Sequence, residues 1–425
     1  MKFISYRLFK LSVILTIIIL FTSACMDTTN QESYNAALNN QLELEINQTD
    51  TELEPPVVEP EPEPEPEPYY TEAKLIAVGD IMMHLPQTRS GYDAETNTYN
   101  YDSFFSEITP FLQGDWVIGN LETPLAGEDL RYTGFPEFNA PPELADSLKL
   151  AGFNILTTTN NHSLDRREKG ILRTLDNLRS RGLIPVGTAA TPEEAEEITM
   201  VTHHDITMAI LAYTYGTNGI PIPEGKPYLV SMINETRMIA DIKKARVLGA
   251  ELITVALHFG NEYQSDPTEE QKLLVDTLFQ AGADIILGSH PHVIQPYEIV
   301  EVTTDEGVHK KGVVIYSMGN FISNQDRFLN RNKPTDVGVI FEVGIRKLYP
   351  DQTVELSEVK AIPTYVHKYK DNGKSQYRIL PLEAILSERN DDLLTVEDYK
   401  RIEPYYLEAS THLESMVVAA NVQLP

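Results

Sequence analysis

Six short blocks rich in metal-binding and proton-transferring side chains punctuate this chain. They are Ala77-Val78-Gly79-Asp80, Gly119-Asn120-Leu121-Glu122, Asn160-Asn161-His162, His258-Phe259-Gly260, Gly288-Ser289-His290-Pro291-His292 and Ser317-Met318-Gly319-Asn320-Phe321. The first five carry Asp, Glu, Asn or His, the ligands of hard and borderline divalent cations. The amide oxygen of Asn161 is a modest ligand, and a neighbouring imidazole, His162, can pass a proton to a leaving group. Asp165 continues that block and can orient an imidazole. His290 and His292 alternate on a glycine-led loop, so both rings can point to one side. Asp80 and Glu122 supply carboxylates where glycine lets the backbone turn sharply. Taken singly, His258 reads as a core histidine and Asn160-Asn161 as a turn. Five such blocks in a constant place relative to their strands are not explained by core packing.

That constant place is the end of an apolar run. The runs Lys74 to Val78, Trp116 to Ile118, Phe153 to Thr158, Leu252 to Leu257, Asp284 to Leu287 and Val313 to Tyr316 read as buried parallel strands. Ligand sites of open α/β sheets form beyond the carboxyl ends of strands. Helical patterns lie between the runs. Pro141-Pro142-Glu143 opens a helix that Gly152 ends, and Gly170 to Ser180 reads helical with Gly182 as its stop. Thr191-Pro192 is a helix start. Asn234 to Leu248 and Thr268 to Gln280 are amphipathic, and Thr207 to Tyr213 is a further strand. The expected fold is α/β, sheets covered by helices. Past residue 325 the pattern changes to two alternating strands, Val337 to Val343 and Val354 to Ile362, with a hairpin near Tyr349-Pro350-Asp351, then helix over Thr395 to Ala420.

The amino-terminal stretch reads differently. Lys2, Arg7 and Lys10 precede the apolar Leu11 to Phe21, and Thr22-Ser23-Ala24 lead to Cys25. This is the plan of a secretory signal peptide over residues 1–24. The apolar run falls short of the about 20 residues that a transmembrane helix needs. Cys25 is the only cysteine, so no internal disulfide and no Cys-based metal site can form. Its setting resembles a bacterial lipobox, although Thr22 stands where an aliphatic residue is usual. The resemblance implies cleavage before Cys25, lipidation of its thiol and an extracytoplasmic lipoprotein held at the cell membrane. Residues 25–72 hold the Glu-Pro repeat Glu59 to Pro68 and no Lys or Arg, which predicts a disordered, extended tether. The formal net charge of −29 disfavours nucleic acid as a partner. An anionic substrate then needs a metal or a local basic patch to reverse the field.

The ordered set of blocks resembles the calcineurin-like metallophosphoesterases. Its wording is most similar to the CapA (PgsA) family of capsule and poly-γ-glutamate biosynthesis. The likeness rests on Gly79-Asp80-Ile81-Met82, Asn120-Leu121-Glu122, Asn160-Asn161-His162-Ser163-Leu164-Asp165, His258-Phe259-Gly260-Asn261-Glu262, Gly288-Ser289-His290-Pro291-His292-Val293 and Tyr316-Ser317-Met318-Gly319-Asn320-Phe321. It covers residues 73–325, with 326–425 completing or extending that domain. The resemblance implies a four-layer metallophosphatase-like sandwich with two central sheets. It implies divalent metal ions, Mn, Zn or Fe. Asp80 would bind one ion and Glu122 would bridge two. Asn161, His258 and His290 would complete the second site, His292 the first, and His162 would be the general acid. It also implies an anionic surface polymer, or the complex that synthesises it, as partner.

Two departures stand out. The phosphoesterases have His two residues after the first Asp; here Met82 stands there and His84 is the nearest histidine. Their bridging block uses Asp, and here it is Glu122. The first site is thus weak, rebuilt by His84, or absent. Three functions remain open: a metal-dependent phosphoesterase-like hydrolase, a non-catalytic accessory for polymer export or anchoring, and a metal-dependent peptidase on γ-glutamyl bonds. His203-His204 precedes a strand, away from the carboxyl edge, and is expected to face solvent.

Overall fold

Continuous apolar runs need cover on both faces of their sheet. Here a second sheet covers one face and helices the other. The structure, a computed structural model, describes residues 67–328 and 330–422, with side chains to 417. The expected signal peptide, the lipidation site Cys25 and nearly all of the tether lie outside the described residues.

Strands β1 (Tyr69–Ile81), β2 (Trp116–Leu121), β3 (Ile155–Thr157) and β4 (Ile184–Val186) pair in parallel. The chain then builds a second sheet from β5 (Thr199–His203), β6 (Ile206–Thr214), β7 (Leu252–His258), β8 (Ile285–Ser289), β9 (Ile294–Thr303) and β10 (His309–Met318). It returns to the first sheet with β11 (Asn320–Ile322), β12 (Val337–Tyr349), β13 (Thr353–Asp371) and β14 (Lys374–Pro381). The first sheet is ordered β14-β13-β12-β1-β2-β3-β4 with β11 beside β1, and the second β9-β10-β8-β7-β6-β5. The residues past 325 therefore complete the first sheet.

Successive side chains of a strand point to opposite faces. Leu75 and Ala77 of β1 face the other sheet, packing with Met208, Ile210, Ile285 and Ile315. Ile76 and Val78 face outward, under Phe104, Leu144 and Leu148. The outer face of the second sheet is covered by Met238 and Ile242 of one helix and Val275 and Leu278 of another. The result is the four-layer α/β sandwich that the resemblance implies. Each fully buried aliphatic side chain contributes roughly 1.5–3 kcal/mol, so the strand ends are firmly held.

The helices follow their sequence signals. Helix α1 (Glu143–Ala151) ends at Gly152 with φ 117°, and α2 (Arg167–Arg179) follows the Asn-Asn-His block. Asn234 caps α3 (Glu235–Val247) through the Arg237 N–H, and Thr268 caps α4 (Glu269–Ala281) through the Gln271 N–H. Helix α5 (Val396–Val422) lays Tyr399, Ile402, Ala409 and Leu413 on the core between the sheets.

One boundary differs from expectation. Strand β1 begins at Tyr69, so residues 69–72, expected in the tether, belong to the sheet. Tyr69 stacks on Tyr349 at 4.5 Å, and Arg346 Nε bonds Glu72 Oε1 at 2.9 Å. Cross-strand pairs of this kind give those four residues an anchorage that a Glu-Pro repeat lacks.

Candidate metal centre

The carboxyl ends of both sheets meet at one place. Asp80 closes β1, Glu122 follows β2, Asn161 and His162 follow β3, His258 closes β7, and His290 and His292 follow β8. Two glycines permit the convergence. A Cβ on Gly79 would stand 1.9 Å from the Gly319 carbonyl oxygen, and one on Gly288 1.9 Å from that of Tyr316. The Asp80 N–H in turn donates to the Gly319 carbonyl at 2.9 Å, joining the first sheet to the loop after β10. His290 and His292 both hold left-handed backbone, φ 102° and 58°. Non-glycine residues there cost of order 1–3 kcal/mol and cluster at functional sites.

Asp80, Glu122, Asn161, His162, His258, His290 and His292 are all buried. Ligand-type atoms of Asp80, Glu122 and His258 lie within 4.8 Å of one another, and so do those of Glu122, His290 and His292. Glu122 belongs to both groups. Its Oε1 is 3.6 Å from His258 Nε2 and 3.9 Å from His292 Nε2. Both Glu122 oxygens and His290 Nδ1 are buried without a hydrogen-bond partner. Buried polar atoms are nearly always paired. These orphans, a carboxylate shared by two imidazole-bearing groups, fit divalent cations of borderline hardness.

A hydrogen-bond chain fixes the orientation of the ligands. Asn160 Nδ2 donates to the Leu121 carbonyl at 2.9 Å and to Asn120 Oδ1 at 3.3 Å. The other end of the Asn120 amide must then be Nδ2, which donates to Asp80 Oδ1 at 2.8 Å and to His258 Nδ1 at 3.2 Å. With Nδ1 accepting, the His258 proton sits on Nε2 and goes to Asn161 Oδ1 at 2.9 Å. Were Nε2 to hold a cation, the ring proton would belong on Nδ1, where Ser289 Oγ, 3.3 Å away, would be its acceptor. His292 Nδ1 donates to Asp80 Oδ2 at 3.0 Å, which turns the lone pair of Nε2 towards Glu122.

His162 is held in a fixed orientation. Its Nδ1–H donates to Asp165 Oδ2 at 2.7 Å, and the Phe138 N–H donates to the same oxygen at 2.6 Å. The Phe138 ring stands edge-on to the imidazole at 4.6 Å. Nε2 is left as the atom that can exchange a proton with a substrate.

The electrostatics favour a cation. Burial, and then the charge of Asp80, push the Glu122 carboxyl well above the usual carboxylate range. Burial, and then the neighbouring imidazoles, pull His258 well below its ordinary value and His290 down to about 3. His258 and His290 are therefore neutral and ligand-ready, and a divalent cation would reverse the penalty on the Glu122 carboxylate.

Distances and hydrogen bonds divide these residues in two ways. By distance His258 falls with Asp80 and Glu122, and the Asn120 amide bonds both Asp80 and His258; by hydrogen bond His258 meets Asn161 and His292 meets Asp80, the pairings the resemblance implies. His292 groups with His290. Asn161 keeps its oxygen on His258. His84, the expected substitute ligand, belongs to neither group. Its Nδ1 faces the Asn324 N–H at 3.3 Å, its ring stands edge-on to Phe138 at 5.1 Å, and its residue precedes helix Leu85–Ser90. Asp165 contacts His162 as expected. His204 is largely exposed and pairs with Asp115 at 3.0 Å, while His203 stands edge-on to Trp116.

Sequence reasoning missed several members of the site. Tyr215 packs on His290 at 4.5 Å and lies parallel to His258 at 6.3 Å. Phe138 and Asn218 flank His162. Neutral side chains in loops carry little signal. The Tyr-Gly-Thr-Asn-Gly run directly after β6, another carboxyl strand end, is the signal that could have marked two of them.

Two facing sheets, with a shared carboxylate, an Asn-His pair and further histidines at their joint strand ends, define a metallophosphoesterase-like sandwich. The chain belongs to the family described as "Bacterial capsule synthesis protein PGA_cap", whose model matches residues 74–325. It is 31% identical over 258 residues to "Capsule biosynthesis protein CapA" of Bacillus anthracis, covering 58% of this chain and 59% of that protein. It is 30% identical over 262 residues to "PGA biosynthesis protein CapA" of Bacillus subtilis (strain 168), covering 58% and 62%. Both matches span less than two thirds of the relative. Solved structures with a likeness include one described as a novel phosphatase from Mycoplasma pneumoniae, 15% identical with TM-score 0.42, covering 69% of this chain and 94% of that one. Another is the calcineurin-like phosphoesterase YfkN of Bacillus subtilis, 13% identical with TM-score 0.37, covering 69% and 91%.

Proposed function

We propose that this protein is an extracytoplasmic, lipid-anchored component of capsule biosynthesis whose strand-end centre is a metal-dependent, phosphoesterase-like hydrolase. The observation that supports it most is the Glu122 carboxylate, buried, without a hydrogen-bond partner and shared by two imidazole-bearing groups beside His162. A pair of divalent cations held by Asp80, Glu122, Asn161, His258, His290 and His292 would supply Lewis acidity at a phosphoryl group. The chain's own residues do the rest. Asp165 keeps the His162 proton on Nδ1 and, once Nε2 is protonated, steadies the imidazolium. His162 Nε2 gives its proton to the leaving oxygen. Phe138 excludes water from one edge of the ring. The polymer served is anionic, and poly-γ-glutamate is the one the family resemblance implies. The lone Cys25 after an apolar run and small residues supports the anchor.

A non-catalytic accessory role is the second reading. Both Asp80 oxygens are already engaged, by Asn120 and His292, and Met82 stands where the phosphoesterases carry a ligand. The test is metal analysis of the full purified chain, followed by phosphodiester and polymer cleavage assays. Bound metal with phosphodiester cleavage is the expected result. Bound metal without cleavage of either substrate selects the accessory reading, cleavage of the polymer's amide bonds selects a peptidase, and a metal-free, inactive chain overturns the hydrolase.

A further inference from the structure

The turn after β6 reaches into the centre from the second sheet. Its backbone is tied to a ligand strand: the Tyr215 N–H donates to the His258 carbonyl at 3.0 Å. Thr217 Oγ1 closes the turn on the Ile220 carbonyl at 2.7 Å. Asn218 then takes left-handed backbone, φ 50°, a conformation that Asn tolerates better than most residues. This places Asn218, which is exposed, at the mouth of a site whose Asn161 and His162 are buried.

The two ends of the Asn218 amide meet different partners. Its Oδ1 accepts from Asn161 Nδ2 at 3.2 Å. That acceptor leaves the Asn161 oxygen on His258 Nε2, 2.9 Å away, at the ligand cluster. The other end, Asn218 Nδ2, lies 3.4 Å from His162 Nε2 and 3.5 Å from His162 Nδ1. Near-equal, long contacts to both ring nitrogens commit neither amide hydrogen to a strong bond, and Nδ1 already gives its own proton to Asp165. Asn218 therefore presents weakly held amide hydrogens next to the His162 imidazole, on the exposed side of the site.

We propose that Asn218 serves both sides of the centre: its Oδ1 positions the metal ligand Asn161, and its Nδ2 donates to an anionic phosphoryl oxygen of the substrate beside His162. The proposal rests on the phosphoesterase reading for the identity of that oxygen. Positioning predicts a loss of metal affinity when the oxygen is removed, because partners of metal ligands are typically worth about 10–100-fold in affinity. Donation predicts a separate loss of phosphate affinity, since a hydrogen bond to a charged group is worth about tenfold or more.

The experiment measures Mn2+ binding by calorimetry on the full chain, then binding of inorganic phosphate at saturating Mn2+, for the parent, Asn218→Ala and Asn218→Asp. Asn218→Asp keeps an oxygen for Asn161 and loses the donor; Asn218→Ala loses both without adding charge. The expected results are Mn2+ affinity lowered about tenfold in Asn218→Ala and held in Asn218→Asp, with phosphate affinity lowered about tenfold in both. Equal Mn2+ losses in both variants overturn the positioning role. Unchanged phosphate affinity in Asn218→Ala overturns the donor. If Asn218→Ala fails to fold, Asn218→Asp still decides: lowered Mn2+ affinity or undiminished phosphate affinity refutes the proposal. A parent that binds Mn2+ and phosphate but cleaves no phosphoester removes the hydrolase reading and leaves this inference standing.

Discussion

Oε1 of Glu122 stands 3.6 Å from Nε2 of His258, too far for a hydrogen bond. It is the spacing of two ligands on one ion: bonds of about 2.0–2.2 Å at tetrahedral angles put ligand atoms about 3.4 Å apart. The same oxygen is 3.9 Å from Nε2 of His292, which comes from a different loop. A carboxylate from the first sheet is thus held between imidazoles from the second. The packing of β1 and β2 on β7 and β8 sets this geometry.

Proton transfer and metal binding should separate by mutation. His162→Ala removes the group beside Asp165 and leaves the ligand groups of Glu122 intact. Turnover is expected to fall by about 10²–10⁴ with metal content unchanged. Asn161→Ala and His290→Ala should instead lower metal content, read by elemental analysis. Loss of metal in His162→Ala would contradict the assignment.

Acid should destabilise the metal-free fold through buried imidazoles. Burial lowers His84 from 6.5 to about 4. Below its ordinary value the unfolded chain protonates this group while the folded chain keeps it neutral down to about 4. The unfolded state binds more protons across that window, so the stability His84 lends is full above it and lost as pH falls through it. His290, lowered to about 3, acts with the same sign. Urea midpoints should show roughly 2 kcal/mol lost to His84 between about pH 7 and about pH 5, and His84→Asn should show a shallower slope. Equal slopes would refute the effect.

Close approach of the two sheets should make Gly79 intolerant of a methyl group. The Gly79→Ala Cβ would meet the Gly319 carbonyl oxygen at 1.9 Å. Overpacking against backbone should cost about 3 kcal/mol. Gly216→Ala, with nothing within 4 Å, is the control and should melt like the parent. Equal melting temperatures for both variants would show that the strand ends are not fixed by this contact.

Much of this arrangement was legible before any coordinates, for a physical reason. Strands buried on both faces read as unbroken apolar runs, and polar residues that end such runs must have partners. That logic found Asp80, Glu122, Asn161, His162, His258, His290 and His292. It did not find Asn218 or Phe138, which contact His162 from loops where polar and aromatic residues are ordinary. Strand β9 was hidden by Pro296, which argues against a strand unless it lies at an edge. It does lie there, and Pro296 makes no pair with β10. Strand β14 went unread although Asn372-Gly373 before it is a strong hairpin signal, and both residues have positive φ. The Asn120 amide, which bonds both Asp80 and His258, is a side-chain link that residue order does not encode.

Cys25 is expected to be the lipid-bearing mature amino terminus, on the strength of its place after an apolar run and small residues. Cys25→Ser should release the protein from membranes or block its processing. Unchanged membrane retention together with unchanged electrophoretic mobility would rule out lipidation.

The most direct test of the account is anomalous diffraction from crystals of the protein grown with Mn2+. The account predicts two peaks about 3.5–4 Å apart, with the Glu122 carboxylate between them and Asp80, His258, His290 and His292 around them. A map with no peak within bonding reach of Glu122, or a Glu122 carboxylate hydrogen-bonded to protein instead, would contradict it.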